Sequence, residues 1–258
     1  MGNYYYLGAS LPSLEFPALP SGLTYLSLKA TLEANLPPKE YKRVQSLCMF
    51  IDLLNIKTLF QEEEIDTRGN LLEEDLDAAL LDRTFFPEYV FDFLQKYETL
   101  TERLHHFPSL LAEFFREEEA KEEGFLKKYF SFEREVRLVL LAIRSKRANR
   151  DLVKELQFED PTDSFVLHIL AQKDAEQYEP PFEYKEIKEL MLAAGSDPWE
   201  QNKAITAYRF QKVEEMVEAE AFSIDTMLSY LVRLMLVEYW HELDKDKGQI
   251  ILSTIKKR

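Results

Sequence analysis

With 258 residues, 46% of them hydrophobic and 31% charged, the chain has enough apolar material for a substantial core and is no disordered tail. A net charge of −15 speaks against a nucleic-acid binder, which usually presents a basic face. Seven glycines, never closer together than Gly2 and Gly8, speak against phosphate-cradling loops and turn-rich β architecture, and the lone Cys48 excludes an internal disulfide.

The opening "NYYYLGASLPSLEFPALPSG" is extended in character over about residues 1–22, with three tyrosines and then Pro12, Pro17 and Pro20. It lacks the basic start and apolar run of a secretory signal, and Tyr6 stands where a myristoylation site wants serine or threonine. No apolar run approaches the roughly 18 residues that span a bilayer. Together with the single cysteine, this predicts a soluble, cytoplasmic protein.

Helical signals then take over. Pro37 and Pro38 lead into "KEYKRVQSLCMFIDLLNIKTLF", where Val44, Leu47, Ile51 and Leu54 fall on one face and Cys48 reads as a small buried side chain. "DTRGN" (66–70) reads as a turn. Pro87 and Pro108 each stand near the start of a further helical stretch. From Pro108 to about Arg147 the pattern is helical, with Gly124 marking a break. Asp160-Pro161 and Asp197-Pro198 each offer a capping carboxylate followed by proline, and Glu200 adds the acid of a capping box. "SIDTMLSYLVRLMLVEYW" puts Ile224, Met227, Leu228, Leu231 and Met235 on one stripe, with Ser223 as its cap. The expectation is an all-α protein of antiparallel bundles, a single domain over 1–258. A weak similarity between "YFSFEREVRLVLL" and "AYRFQKVEEMVEA" is what two amphipathic helices share by chance as readily as by repetition.

Charge is zoned. Acids dominate 61–123, bases dominate 124–157, and acids return after it. Within the basic zone, "VRLVLLAI" is apolar nearly all round, so its helix is expected to be buried and Arg137 to need a carboxylate, with Glu133 the local candidate. Arg144, Lys146, Arg147 and Arg150 form a collar where that helix leaves the core. Cations at a helix C-terminus gain roughly 0.3–1 kcal/mol each, but this collar exceeds what one helix end needs, which points to a contact surface. In "EFFREEEAKEE" (113–123) acids repeat at four-residue spacing, a repulsive pattern. The plain reading is a solvated face. The functional one is a docking surface for a basic partner, with Glu117 and Glu118 at its centre.

Conventional catalytic tools are scarce. His105 and His106 are adjacent and point about 100° apart on a helix, so they cannot share a metal; His168 and His241 stand alone. "DTRGNLLEEDLD" fails as a calcium loop, with Arg68 at a ligand position, Leu71 where glycine bends the loop and Asp77 in place of the closing glutamate. In "ELDKDKG" the lysines oppose a cation beside Asp244 and Asp246. "STIK" (253–256) only formally fits Ser-x-x-Lys. No Walker motif and no nucleophile elbow occur. The expectation is no catalytic, metal or cofactor-binding residue and no cofactor.

On "YYYLGASLPSL", the turn Arg68 to Asn70, and the order Phe222, Tyr230, Arg233, Leu234, Trp240, Gly248, the chain resembles a bacterial family of small helical proteins encoded among V-type ATPase genes. That family is similar to the C-type central-stalk subunit of V/A-type ATPases, whose eukaryotic counterpart is the d-type one. Its recurrent charged helix resembles the Glu133-Arg134-Glu135 stretch. The resemblance implies a funnel-like, all-helical body of stacked bundles without catalytic residues. It implies a central-stalk component that links the rotor shaft to the membrane ring and couples ATP turnover to ion transport. The partners implied are the shaft subunits and the ring, with membrane contact only through the complex, at the cytoplasmic side of the inner membrane. This chain is shorter than the standard C-type protein, so one bundle would be missing or reduced. Two other classes share the composition: a helical adaptor unrelated to rotary ATPases, and a metal-dependent hydrolase using the acid clusters.

Overall fold

The computed structural model describes residues 4–217 and 223–243, with side chains from Leu7 onward. Among these residues the fold is all-α. In chain order the helices are α1 (Tyr4–Ser10), α2 (Tyr25–Asn35), α3 (Pro38–Phe60), α4 (Glu73–Asp82), α5 (Glu88–Lys96), α6 (Leu100–Lys121), α7 (Gly124–Arg147), α8 (Leu152–Glu155), α9 (Ser164–Leu170), α10 (Lys185–Ala193), α11 (Pro198–Glu215) and α12 (Ile224–Glu242). No described helix is long and apolar enough to cross a membrane.

The chain forms two compact units: Pro37–Pro180, and Met1–Leu36 together with Pro181–Arg258. In the first, α3, α5 and α7 pack on α6. Its centre is aromatic: Phe50 stacks on Phe114 at 5.5 Å, and Phe114 meets Phe130 edge-on at 5.3 Å. In the second, α12 packs on α2 and α11, and α11 on α10. Here Trp240 lies 4.5 Å from Trp199 and 6.0 Å from Phe16, while the Tyr230 hydroxyl donates to the Pro12 carbonyl. Arg233 pairs with Glu214 and lies over Phe210. The C-terminal residues singled out in the sequence are therefore core builders wherever they are described.

Several starts fall where the sequence puts them. Asp197 accepts from the Trp199 amide at the head of α11, and Ser223 from Thr226 at the head of α12. Gly124 (φ 59°) opens α7, with two residues between it and the end of α6. Cys48 is fully buried.

Other expectations are corrected. The N-terminal stretch is not extended throughout: Tyr4–Ser10 is helical, anchored by Leu7, which is buried, with Ser10 Oγ donating to the Leu7 carbonyl. Pro108 lies inside α6, because the helix is already started by Thr99 and Glu102, which cap each other's backbone amides. Asp160 caps only a turn at Thr162; Asp163 opens α9, accepting from Phe165 and Val166. Leu54 is exposed, since the buried face of α3 turns through Val44, Cys48, Ile51 and Asn55, closer to the 3.6-residue period. Phe222, Gly248, Asp244, Asp246 and the Ser253–Lys256 stretch lie outside the described residues.

Candidate functional site

Two polar constructions stand out in the Pro37–Pro180 unit. The first is closed. Asp52 and Asn55 point from α3 at the loop 66–71, spaced three apart and so on one helix face. Asp52 is fully buried and accepts from the Asn70 and Leu71 amides at 2.7 and 3.1 Å and from Asn70 Nδ2 at 2.7 Å. Asn55 reads both backbone groups of Asp66, accepting from its amide and donating to its carbonyl. Asp66 in turn grips Arg68 through both carboxylate oxygens. At Gly69 an added Cβ would sit 2.4 Å from Asp52 Oδ1, so this position has room only for glycine. The Arg68 to Asn70 motif is thus a loop clamp.

The second is open: a cleft of about 600 Å³ between α6, the start of α7 and residues 158–163. Its floor is a buried ion network. Arg134 Nη2 lies 3.2 Å from Asp163 Oδ1, its Nε 3.8 Å from Glu159 Oε2, and Glu159 also pairs with Arg137. Arg137 therefore takes its carboxylate from 22 residues downstream and not from Glu133. Its guanidinium also covers the Phe115 ring. Burial pulls the Arg134 pKa down, but Asp163, Glu119 and Glu159 push it further up, so it stays charged. Along the α6 wall, Arg116 pairs with Glu113 and approaches Glu117. Glu119 has its Oε1 buried without a hydrogen-bond partner, and burial raises its carboxyl pKa against the pull of Arg134. Asp160, at the rim, is lowered by its bonds from the Thr162 hydroxyl and amide.

The residues read as an interface do not make one patch. Helices α6 and α7 are joined by two residues and pack on each other, so they run back along one another. The acidic end of α6 lies at the join, and the collar lies at the far end of α7, about 36 Å away for 24 residues. At the join Glu117 is exposed, whereas Glu118 is only 3% exposed and pairs with Lys121 at 3.2 Å. Burial pushes the Glu118 carboxyl up, with Lys121 pulling it back. In the collar Arg144 and Arg147 are exposed on the last turn. Lys146 is used internally, donating to the Lys173 and Ala175 carbonyls, and Arg150 pairs with Glu155 at 3.1 Å. The His106 ring stacks on Tyr97 at 4.2 Å between centroids. Among the described residues no group of three or more His, Cys, Asp or Glu is placed to hold a metal ion.

Arg134, Glu119, Glu159 and Asp163 were not candidates on sequence. The usable signal was two arginines three apart on an apolar helix, which demands acids from elsewhere. Which acids answer is a tertiary fact.

Comparison with other proteins gives a consistent result. The chain is 28% identical to an "Uncharacterized protein" of Chlamydia muridarum over 263 residues, covering 100% of this chain and 98% of that one. It is 29% identical to one of Chlamydia trachomatis serovar D over 260 residues, covering 98% and 97%. A protein of Chlamydia pneumoniae is 27% identical over 263 residues. No solved structure matches. None of these matches is named for a V-type ATPase, its C-type stalk component or a family around it, so the resemblance drawn from the sequence motifs is corrected. Of its described residues, the Arg68 to Asn70 turn serves the loop clamp, Arg134 the ion network of the cleft, and Tyr230 and Trp240 the core of the second unit. A family model matches from residue 1 to residue 258, and the chain belongs to the family described as "Protein of unknown function (DUF2764)".

Proposed function

We propose that the chain is a non-catalytic helical docking subunit that joins two partner proteins, and that the assembly it serves is a V-type ATPase, where it links the rotor shaft to the membrane ring. The observation that carries the two-partner reading is the α6–α7 hairpin. One packed helix pair presents exposed acid at Glu117 near one end and exposed base at Arg144 and Arg147 near the other end of α7, a helix about 36 Å long. Opposite charge at the two ends of a stiff element selects different partners at each, through steering and register. The helical build suits a part that transmits force. The choice of a V-type ATPase as the assembly rests on the function expected from the sequence and is what the experiment decides.

The test is co-purification of the tagged chain from gently solubilised membranes of its native cell, with partners identified by mass spectrometry. Recovery of the catalytic subunits, shaft and ring together supports the rotary assembly. Recovery of none of them, with that ATPase intact in the same membranes, overturns it. A paired reversal, Arg144→Glu with Arg147→Glu, sharpens the result: it should lower recovery of one partner set and leave the helical content unchanged.

A further inference from the structure

We infer that the cleft between α6, α7 and residues 158–163 receives a basic helix of a partner protein, with Glu119 the acceptor that its arginine or lysine reaches. The inference rests on the proposed docking function and names the partner chemistry of one surface. Charge complementarity carries it. Five carboxylates and three cations line the cleft. Arg134 is held by Asp163 and Glu159, and Arg116 by Glu113 and Glu117, so both are largely neutralised where they stand. Lys127 is exposed at the mouth. Glu119 is left as the wall carboxylate with an unfilled acceptor, its Oε1, and Asp160 adds a second carboxylate to the lining.

The floor makes this a built site. Arg134 and Glu159 are 9% and 8% exposed, and their network with Arg137 fixes the wall opposite α6. An anionic ligand would have to displace carboxylates already bonded to those arginines. A cation meets the Glu119 carboxylate, whose burial Arg134 and Lys127 offset only in part and whose Oε1 has no hydrogen-bond partner, and pairing it reduces the penalty. At about 600 Å³ the cleft is large enough for side chains from one helix face, not merely an ion.

The test uses the full chain and a fluorescein-labelled, alanine-based helical peptide carrying four arginines on one face, followed by fluorescence anisotropy. A matched peptide with four glutamates is the control ligand. The arginine peptide should bind and the glutamate peptide should not. Glu119→Gln should weaken arginine-peptide binding about tenfold, while Glu183→Gln, an exposed acid in the other unit, should leave it unchanged. Equal weakening by both variants overturns the inference and assigns the binding to net charge alone. Absence of binding by the arginine peptide overturns it too. Glu119→Ala is measured alongside, with circular dichroism of each variant, so that lost binding is separated from lost folding. If Glu119→Gln leaves co-purification of all partners intact, the cleft inference fails while the docking function stands; loss of every partner from the wild-type chain is failure of that function instead.

Discussion

The loop clamp and the cleft both put charge inside a helical protein, and they do it in opposite ways. At the clamp the Asp52 carboxylate faces backbone and amide N–H groups, and even a methyl group at Gly69 would collide with it. Around Asp52 no room is left for a ligand. At the cleft the carboxylates and guanidinium groups satisfy one another incompletely: Glu119 lines the open volume, and its buried Oε1 has no hydrogen-bond partner. A carboxylate closed in by backbone donors specifies architecture, whereas charged groups that line an open cleft offer a surface.

The strongest way to break the comparison is Asp52→Ala. It strands three N–H groups that now donate to a carboxylate, and should cost about 4 kcal/mol in urea unfolding followed by far-UV circular dichroism. An unchanged midpoint would mean that the clamp holds nothing. Glu159→Gln removes the carboxylate shared by Arg134 and Arg137 in a buried setting, with an expected loss of about 3 kcal/mol by the same measurement. If it proves neutral, the cleft floor is not a rigid wall. Gly69→Ala tests the closeness of the clamp directly and should cost about 2 kcal/mol, since Asp52 must retreat from the new methyl group.

The smallest effect concerns pH. Burial raises the Glu118 carboxyl above its ordinary value of 4.5. The folded state therefore holds this proton more tightly than the unfolded one. The contribution to stability is fully present below the ordinary value and is lost as pH rises through the raised one. Glu118→Gln should flatten that decline in thermal midpoints taken upward from about pH 4.5. A decline of the same slope in the variant would place its origin elsewhere.

What was legible in the sequence is local chemistry. Asp197 before Pro198, Ser223 before its apolar stripe and Gly124 between two charge zones announce helix ends, because capping and chain reversal act within a few residues. The near-continuous burial of α7 also followed from its apolar circumference. Pro108 misled because proline favours a first turn but lies here inside a helix started by a stronger cap nine residues earlier, at Thr99. Glu118 misled because an acidic run does not say which of its members faces inward; the turn of α6 buries Phe114, Phe115 and Glu118 together. The cleft was illegible for a deeper reason. Glu159 and Asp163 come from a connection that no periodicity describes, and only packing brings them to Arg134 and Arg137.

The Trp199–Trp240 contact has a consequence of its own. The chain has only these two tryptophans, and both belong to the unit formed by the chain's two ends. Indole emission, excited where tyrosine is silent, therefore reports on that unit alone, while the unit that carries the clamp and the cleft is spectroscopically dark. Every variant proposed at Asp52, Gly69, Glu118, Glu119 or Glu159 thus has an internal standard. A shift in indole emission caused by any of them would be direct evidence that the two units communicate.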